Sequence, residues 1–205
     1  MSSYVDSIRK APKTLTDREQ TSLLAVTGNR KDGFRDHVLF SFALGTALRE
    51  HELCALTVGQ IRNSDGAIIR RFPLKVFKRS NLDFDLQEAI LPDRLRLKLE
   101  KFLRWKLSEG EPLEDGAALF LSREGGHLTT RRVRQIFAKW QEEAKFERKH
   151  TFHGLRHTAL TNLYQDTKDI RLVQRVARHK SVLSTTIYTQ ASDEDIENAV
   201  RRMSC

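Results

Sequence analysis

Apolar residues recur every three or four positions along most of this 205-residue chain, and one central stretch breaks that spacing. Such spacing is typical of amphipathic helices. Between Ile68 and Leu91 the apolar residues come instead in short β-like runs separated by turn residues, which indicates a small antiparallel sheet. The sequence therefore predicts a mainly α fold with one small antiparallel β-sheet, an α+β arrangement.

Capping residues mark several of the expected helix starts. Thr16 and Glu19 stand three positions apart, as in a capping box, and predict the start of a helix. Pro92-Asp93 and Thr129-Thr130 mark two later starts. Another helix is expected to bury Val38, Leu39, Phe42 and Ala43. Further helices are expected around residues 50–56, 153–165, 169–177, 181–187 and 194–203.

The composition is that of a globular protein, with 39% hydrophobic and 31% charged residues. No apolar run approaches the roughly 18–20 residues that cross a bilayer. The first residues form no apolar segment typical of a secretory signal. Two cysteines, Cys54 and Cys205, form neither a metal-binding spacing nor a disulfide framework. We therefore expect one globular domain, and not a membrane protein, a disulfide-rich secreted protein or a zinc module.

The charge balance favours a polyanionic partner. Lys and Arg number 36 and Asp and Glu number 27, which gives a net charge of +9. Nucleic acids attract such chains because Lys and Arg neutralise phosphates. An acidic stretch at residues 193–197 makes the rest of the chain more basic still. A soluble basic protein without a nucleic-acid partner would have the same net charge, so the charge favours this partner without proving it.

The segment around residue 155 carries the residues best suited to chemistry. On a helix, His153, Arg156 and His157 share one face, because positions i, i+3 and i+4 are neighbours. His179 and Tyr188 follow within the next 31 residues. Imidazoles, a guanidinium and a phenol together indicate a site that processes phosphate. The alternatives are histidines satisfied in a core or half of a metal pair, although no Cys or nearby Glu completes a zinc set.

These residues, in this order, resemble the tyrosine recombinases, the phage-type integrases. The run His153-Gly154-Leu155-Arg156-His157, followed by His179 and by Tyr188 nine residues later, is similar to the C-terminal signature of that family. The segment Thr46-Ala47-Leu48-Arg49-Glu50-His51-Glu52-Leu53 resembles its upstream signature, and Arg49 precedes Arg156 by 107 residues. The resemblance extends from about Thr14 to Tyr188 and implies the catalytic-domain fold of these enzymes.

The resemblance implies a role for each matching residue. Arg49 and Arg156 would hold the non-bridging oxygens of the scissile phosphate, where charge develops in the transition state. Tyr188 would attack phosphorus, leaving a 3′-phosphotyrosyl bond and a free 5′-hydroxyl. A phenol with a pKa near ~10 needs help to act as a nucleophile. His153 is the implied base, and His179 would donate a hydrogen bond to the phosphate.

The resemblance also implies a lysine on a β-hairpin, as general acid to the leaving 5′-oxygen. Lys75 and Lys78 are the candidates, and their odd separation puts them on opposite faces of a strand. Lys78 is preferred because it is nearer the turn at residues 79–81. Glu52, three residues after Arg49, either orients that arginine or forms an exposed ion pair worth under ~1 kcal/mol.

This chemistry implies no cofactor and no metal. The bond energy is held in the phosphotyrosine until a DNA 5′-hydroxyl attacks it. The acidic pairs Asp83/Asp85 and Asp193/Asp195 resemble parts of a two-metal nuclease site. They do not predict one, because the first pair alternates along a strand and the second lies in a tail.

The resemblance divides the chain into an N-terminal tail over residues 1–13, a catalytic domain over 14–190 and a C-terminal helical tail over 191–205. Most relatives carry a helical core-binding domain before the catalytic domain, whereas we expect this chain to lack it and to grip DNA from one side. Binding should then be weaker and more sensitive to salt. In the 191–205 tail, an apolar stripe of Ile196, Val200 and Met203 predicts a helix that packs on its own core or links subunits.

The partners implied are double-stranded DNA, further copies of the chain in a homo-oligomer (a tetramer on DNA) and an accessory DNA-binding protein, with no membrane. Such a protein is expected in the bacterial or archaeal cytoplasm, with the nucleoid.

One departure from the family pattern is Arg178, which stands where a glycine usually precedes the histidine of the later signature. A type IB topoisomerase-like enzyme and a DNA-binding regulator derived from a recombinase are the alternatives, and the complete residue set argues against the regulator.

Overall fold

The computed structural model describes residues 13–30, 33–74, 87–189 and 200–203. The α-helices in this part of the chain are α1 (Asp17–Gly28), α2 (Phe34–Thr46), α3 (Glu50–Cys54), α4 (Asp93–Ser108), α5 (Thr130–Glu143), α6 (His153–Thr167) and α7 (Ile170–Ala177). Two strands, β1 (Arg71–Pro73) and β2 (Glu88–Ile90), form an antiparallel pair. The predicted fold class, mainly α with a small antiparallel sheet, is therefore confirmed.

The capping residues read from the sequence start the helices as expected. The backbone N–H of Glu19 donates to the Thr16 hydroxyl at 3.2 Å, and the Thr16 N–H donates to the Glu19 carboxylate at 2.8 Å. This reciprocal pair is the predicted capping box, and it satisfies two donors that a helix start otherwise leaves unpaired. Thr129 caps α5 in a similar way, accepting from the Arg132 N–H at 3.1 Å.

The two strands pair Phe72 with Ala89, and both side chains are buried. Their neighbours Arg71 and Ile90 face outward, so the sheet shows the alternation expected of a half-buried pair. Residues 75–86, which include both candidate lysines Lys75 and Lys78, lie outside the described residues.

The chain forms two compact units, with the boundary inside α6. The larger unit spans Lys13–Ala159. Its core is built around α2, which buries Phe40 and Phe42 completely. Phe40 meets Phe137 of α5 edge to face at 5.6 Å between ring centroids, and Phe42 meets Phe120 in the same way at 6.1 Å. These contacts fasten α5 and the loop before it to α2.

The smaller unit contains the described residues from Leu160 onward. Leu160, Val173 and Ala177 are its fully buried apolar residues. The helix expected over 181–187 is instead two short 3₁₀ helices, Val182–Ser184 and Thr186–Tyr188. Of the helix expected over 194–203, only residues 200–203 are described. None of the described helices is long and apolar enough to cross a membrane.

Candidate active site

Arg49 stands at the start of α3 and is held there by Glu52. The Arg49 N–H donates to one oxygen of the Glu52 carboxylate at 2.7 Å, and the guanidinium donates to the other at 2.9 Å. The Glu52 side chain is only 6% exposed, whereas that of Arg49 is 33% exposed. Of the two interpretations of Glu52, the structure therefore fits an orienting contact and not an exposed ion pair.

Arg156 links the two sequence signatures physically. Its side chain is buried, and one guanidinium nitrogen donates a hydrogen bond to the carbonyl of Ala47, two residues before Arg49. Ala47 ends α2 in the left-handed conformation, with φ 52° and ψ 29°. That conformation costs a residue with a side chain roughly 1–2 kcal/mol, and the bond from Arg156 helps to hold it. The two arginines are thereby placed on adjoining segments.

His153 begins α6, and its ring meets that of His157 perpendicularly, with 4.6 Å between ring centroids. Although part of His153 faces solvent, burial of the rest of the ring lowers the pKa of His153 below its usual value. The positive charges of Arg156 and Arg49 lower that pKa further. His153 is therefore a neutral imidazole at neutral pH, and a neutral imidazole can accept a proton.

A second ion pair, which the sequence did not reveal, lies beside this group. Arg134 of α5 donates a hydrogen bond from Nε to Glu50 Oε2 at 2.8 Å, and its Nη2 lies 2.7 Å from the same oxygen. The Glu50 charge raises the pKa of His153 and the Arg134 charge lowers it. No sequence signal could have found the pair, because its members stand 84 residues apart.

Burial and the Glu50 charge raise the pKa of the nearby Cys54 thiol to about 12, so this cysteine is not a nucleophile at neutral pH.

In the smaller unit, His179 and Tyr188 lie side by side. Their rings stack with centroids 6.3 Å apart and planes 17° from parallel. His179 Nδ1 lies 3.1 Å from the Thr185 hydroxyl, and Thr185 is fully buried. The Tyr188 N–H donates to the Thr185 carbonyl at 3.0 Å, and Tyr188 is 4% exposed. Thr185, which the sequence did not single out, therefore contacts both residues.

Arg178 ends α7 in the left-handed conformation, with φ 55° and ψ 45°. This is the conformation in which glycine commonly follows the end of a helix. Arg178, which replaces the usual glycine of the family pattern, thus has the backbone conformation that glycine would adopt there. The chain keeps the backbone conformation with a residue that adopts it at a cost.

The structure thus divides the sequence-predicted residues into two groups. Arg49, His153 and Arg156 lie in the larger unit, His179 and Tyr188 lie in the smaller one, and Lys78 falls outside the described residues. The first group offers two cations for an anion and a neutral base, and the second offers a phenol beside an imidazole. Within the described residues, no three His, Cys, Asp or Glu side chains are arranged to hold a metal ion.

Known proteins resemble this chain in sequence. Residues 13–195 match the phage integrase family. The tyrosine recombinase XerC of Listeria monocytogenes serotype 4a (strain HCC23) is 30% identical over 199 residues, which cover 96% of this chain and 63% of the relative. XerC of Bacillus subtilis (strain 168) is 27% identical over 199 residues, covering 93% of this chain and 60% of the relative. The chain therefore spans less than two thirds of the length of these relatives.

Solved structures share the fold. The XerA recombinase matches with a TM-score of 0.76 and 23% identity, over 95% of this chain and 65% of that protein. The XerH site-specific recombinase bound to palindromic difH substrate matches with a TM-score of 0.72 and 22% identity, over 94% and 54%. The catalytic domain of bacteriophage HP1 integrase matches with a TM-score of 0.59 and 19% identity, over 92% of this chain and 94% of that domain.

Proposed function

The chain belongs to the phage integrase family, and on that premise we propose that it is a site-specific tyrosine recombinase, which cleaves and rejoins DNA strands through a 3′-phosphotyrosyl intermediate. The family match confirms the resemblance drawn from the two sequence signatures. The observation that carries the proposal is the hydrogen bond from Arg156 to the Ala47 carbonyl, because it brings the arginine of the later signature to the segment of the earlier one. The relatives are named recombinases, which favours this reading over a topoisomerase.

In this proposal, Arg49 and Arg156 bind the two non-bridging oxygens of the scissile phosphate. Their planar, permanently charged guanidinium groups suit the charge that accumulates on those oxygens in the transition state. Glu52 directs the Arg49 guanidinium through its 2.9 Å contact. Arg156 is fixed by burial and by the Ala47 carbonyl. Two cations that are fixed before DNA binds need little reorganisation during the reaction.

The phenol oxygen of Tyr188 forms a bond to phosphorus as the bond from phosphorus to the 5′-oxygen breaks. The phenol proton passes to His153, whose lowered pKa keeps it neutral and able to accept. Lys78 supplies a proton to the leaving 5′-oxygen, and His179 donates a hydrogen bond to the phosphate. In the second step a DNA 5′-hydroxyl attacks the phosphotyrosine. The proton of that hydroxyl passes to Lys78, His153 returns its proton to the phenol oxygen, and Tyr188 is restored. The residues need no cofactor for this sequence of steps.

The proposed substrate is double-stranded DNA. The net charge of +9 supports this, as does the XerH neighbour, which is bound to its difH substrate. Further copies of the chain would assemble as a tetramer on the DNA, with residues 191–205 linking subunits, and an accessory DNA-binding protein would bind alongside them. A protein that acts on chromosomal DNA would work in the bacterial or archaeal cytoplasm, at the nucleoid.

The test is covalent attachment to DNA. The protein would be mixed with nicked duplexes from the DNA flanking its own gene, denatured, and the attached strands sequenced. Tyr188→Phe should abolish attachment, because it removes the attacking oxygen, while binding of the same duplexes stays intact. Tyr164→Phe is the matched control and should attach like the unaltered chain. Attachment that survives Tyr188→Phe would refute the assignment, and strand exchange between two sites would separate a recombinase from a topoisomerase.

A further inference from the structure

The segment Lys13–Thr16, which leads into α1, is bonded directly to α6. The backbone N–H of Leu15 donates to the Thr158 hydroxyl at 2.9 Å, across 143 residues of sequence. The same hydroxyl donates to the Gly154 carbonyl, one turn earlier in α6, at 2.8 Å. Thr158 is fully buried, so water cannot replace either bond. One hydroxyl therefore joins the Lys13–Thr16 segment to the first turns of α6.

Gly154 shows how closely the two segments approach. A Cβ atom at this position would lie 3.2 Å from the Lys13 carbonyl oxygen and 3.9 Å from the Leu15 side chain. That first distance is shorter than ordinary van der Waals contact, so a side chain here would press the Lys13–Thr16 segment outward. Gly154 directly follows His153, so the contact lies at the turn that carries the proposed base.

A second set of contacts fastens the same segment to the loop that precedes α6. Arg148 donates to the Thr14 carbonyl at 3.0 Å, and His150 lies 3.1 Å from the Glu19 carboxylate. The other oxygen of that carboxylate accepts from the Thr16 N–H in the capping box. Burial by itself would raise the pKa of Glu19, but bonds from Thr16 and His150 hold it below the usual value. Glu19 therefore stays ionised at neutral pH and keeps its bonds to both elements.

His153 and Arg156 lie between these two attachments along the chain. The loop contact at His150 precedes them, and Thr158 follows them. We propose that Thr158 is a positioning residue for DNA cleavage, because its hydroxyl holds the turn of α6 that bears His153 and Arg156 against the Lys13–Thr16 segment. The proposal rests on the proposed function and adds a residue outside the six assigned to the chemistry.

The test uses a pair of substitutions that separate the hydroxyl from the shape of the side chain. Thr158→Val keeps the shape and removes both hydrogen bonds, whereas Thr158→Ser keeps the hydroxyl. Thr167→Val is the matched control, because the Thr167 hydroxyl donates to the Leu163 carbonyl of the same helix at 2.7 Å and lies on the exposed part of α6. The measurements are the rate constant and the amplitude of covalent attachment to nicked DNA, the Kd for that DNA, and hydrogen exchange at the Leu15 amide.

Thr158→Val should slow attachment about 10-fold or more, since small misplacements of catalytic groups have large effects on rate. The Kd should change less than about 2-fold, and exchange at the Leu15 amide should speed up. Thr158→Ser and Thr167→Val should attach within about 3-fold of the unaltered rate. A residue with only a structural role would instead lower the amplitude and leave the rate constant unchanged, and that result would overturn the proposal.

If Thr158→Val does not fold, Gly154→Ala decides the question. Alanine is the better helix former, which offsets part of the strain from its 3.2 Å Cβ contact with the Lys13 carbonyl oxygen, so the variant should fold. It should slow attachment because its Cβ displaces the Lys13–Thr16 segment. An unaltered rate in Gly154→Ala would overturn the positioning role. If the unaltered chain itself never attaches to DNA, the proposed function fails instead, and faster exchange at the Leu15 amide in Thr158→Val would still demonstrate the bond.

Discussion

The two units hold their candidate residues by contacts of different range. In the larger unit, Arg156 reaches the Ala47 carbonyl across 109 residues of sequence. In the smaller unit, His179 contacts Gln174 and Thr185, five and six positions away, and stacks on Tyr188. Arg156 is thus placed by the closing of a long loop, whereas the tyrosine and its histidine neighbour are placed by short turns.

This difference has a consequence for how each group tolerates change. A long-range contact depends on the whole larger unit being folded, so its loss affects both stability and geometry. A contact within one turn depends on a few backbone angles, so its loss acts locally. Substitutions that remove one contact from each unit should therefore separate these two kinds of effect.

Among the substitutions that remove a supporting contact, Arg156→Lys should have the largest effect. Lysine keeps the charge but loses the planar fork, and the buried Ala47 carbonyl loses its fixed donor. We expect attachment to nicked DNA to slow by about 10²-fold and the free energy of unfolding to fall by about 1–2 kcal/mol. Single-turnover attachment and chemical denaturation measure the two quantities.

Arg96→Lys is the matched control for this change. Arg96 also donates to a distant backbone carbonyl, that of Ile68, at 3.1 and 3.3 Å, in the same unit. It should lower stability by a similar amount and leave the attachment rate within about 2-fold. Equal loss of rate in both variants would show that Arg156 matters only for folding.

In the smaller unit, Thr185→Val should have the next largest effect. The isosteric change removes the 3.1 Å contact with His179 and leaves a buried valine. We expect attachment to slow about 10-fold, because the His179 ring loses its orientation. Thr186→Val is the neighbouring control, since the Thr186 hydroxyl donates to the local Leu183 carbonyl at 2.8 Å. If the two variants behave alike, Thr185 does not orient His179.

The sequence predicted the elements well where a local pattern decides the outcome. The capping box at Thr16, the cap at Thr129 and the common helix of His153 and Arg156 are all present. Apolar spacing and capping chemistry act within one or two turns, so a sequence shows them directly. Residues 182–188 formed 3₁₀ helices instead of the expected helix, because so short a run carries little helical periodicity.

The contacts that organise the site could not be predicted in the same way. The partners of Arg156, Thr158 and Arg134 lie 109, 143 and 84 residues away. Only the fold brings such residues together, and each alone looks like an ordinary surface or helix residue. The family resemblance supplied the candidate residues, but their supporting contacts needed the structure.

The third prediction concerns pH. Arg134 lowers the pKa of His153, and Glu50 raises it. Arg134→Gln removes a positive charge and leaves Glu50 without its partner, so both changes raise the pKa of His153. If His153 is the base, attachment is lost as pH falls through that pKa, because the protonated ring cannot accept a proton. The acidic limb of the pH–rate profile should therefore move to higher pH.

Arg132→Gln, on the same helix, should leave the limb in place, and an unmoved limb in Arg134→Gln would argue against His153 as the base.

The smallest expected effect is that of Arg178→Gly, which tests the local character of the smaller unit. Arg178 holds φ 55°, a conformation that glycine adopts freely. Releasing this strain should raise the free energy of unfolding by about 0.5–1 kcal/mol. Loss of the hydrogen bond from the Arg178 guanidinium to the Val176 carbonyl offsets part of that gain. Lys168→Gly, at φ 52° in the same unit, should give a similar gain. Because the backbone angles that place His179 are already those of a glycine, attachment should stay within about 2-fold of the unaltered rate. A marked loss of rate in Arg178→Gly alone would show that the Arg178 charge itself takes part in binding the phosphate.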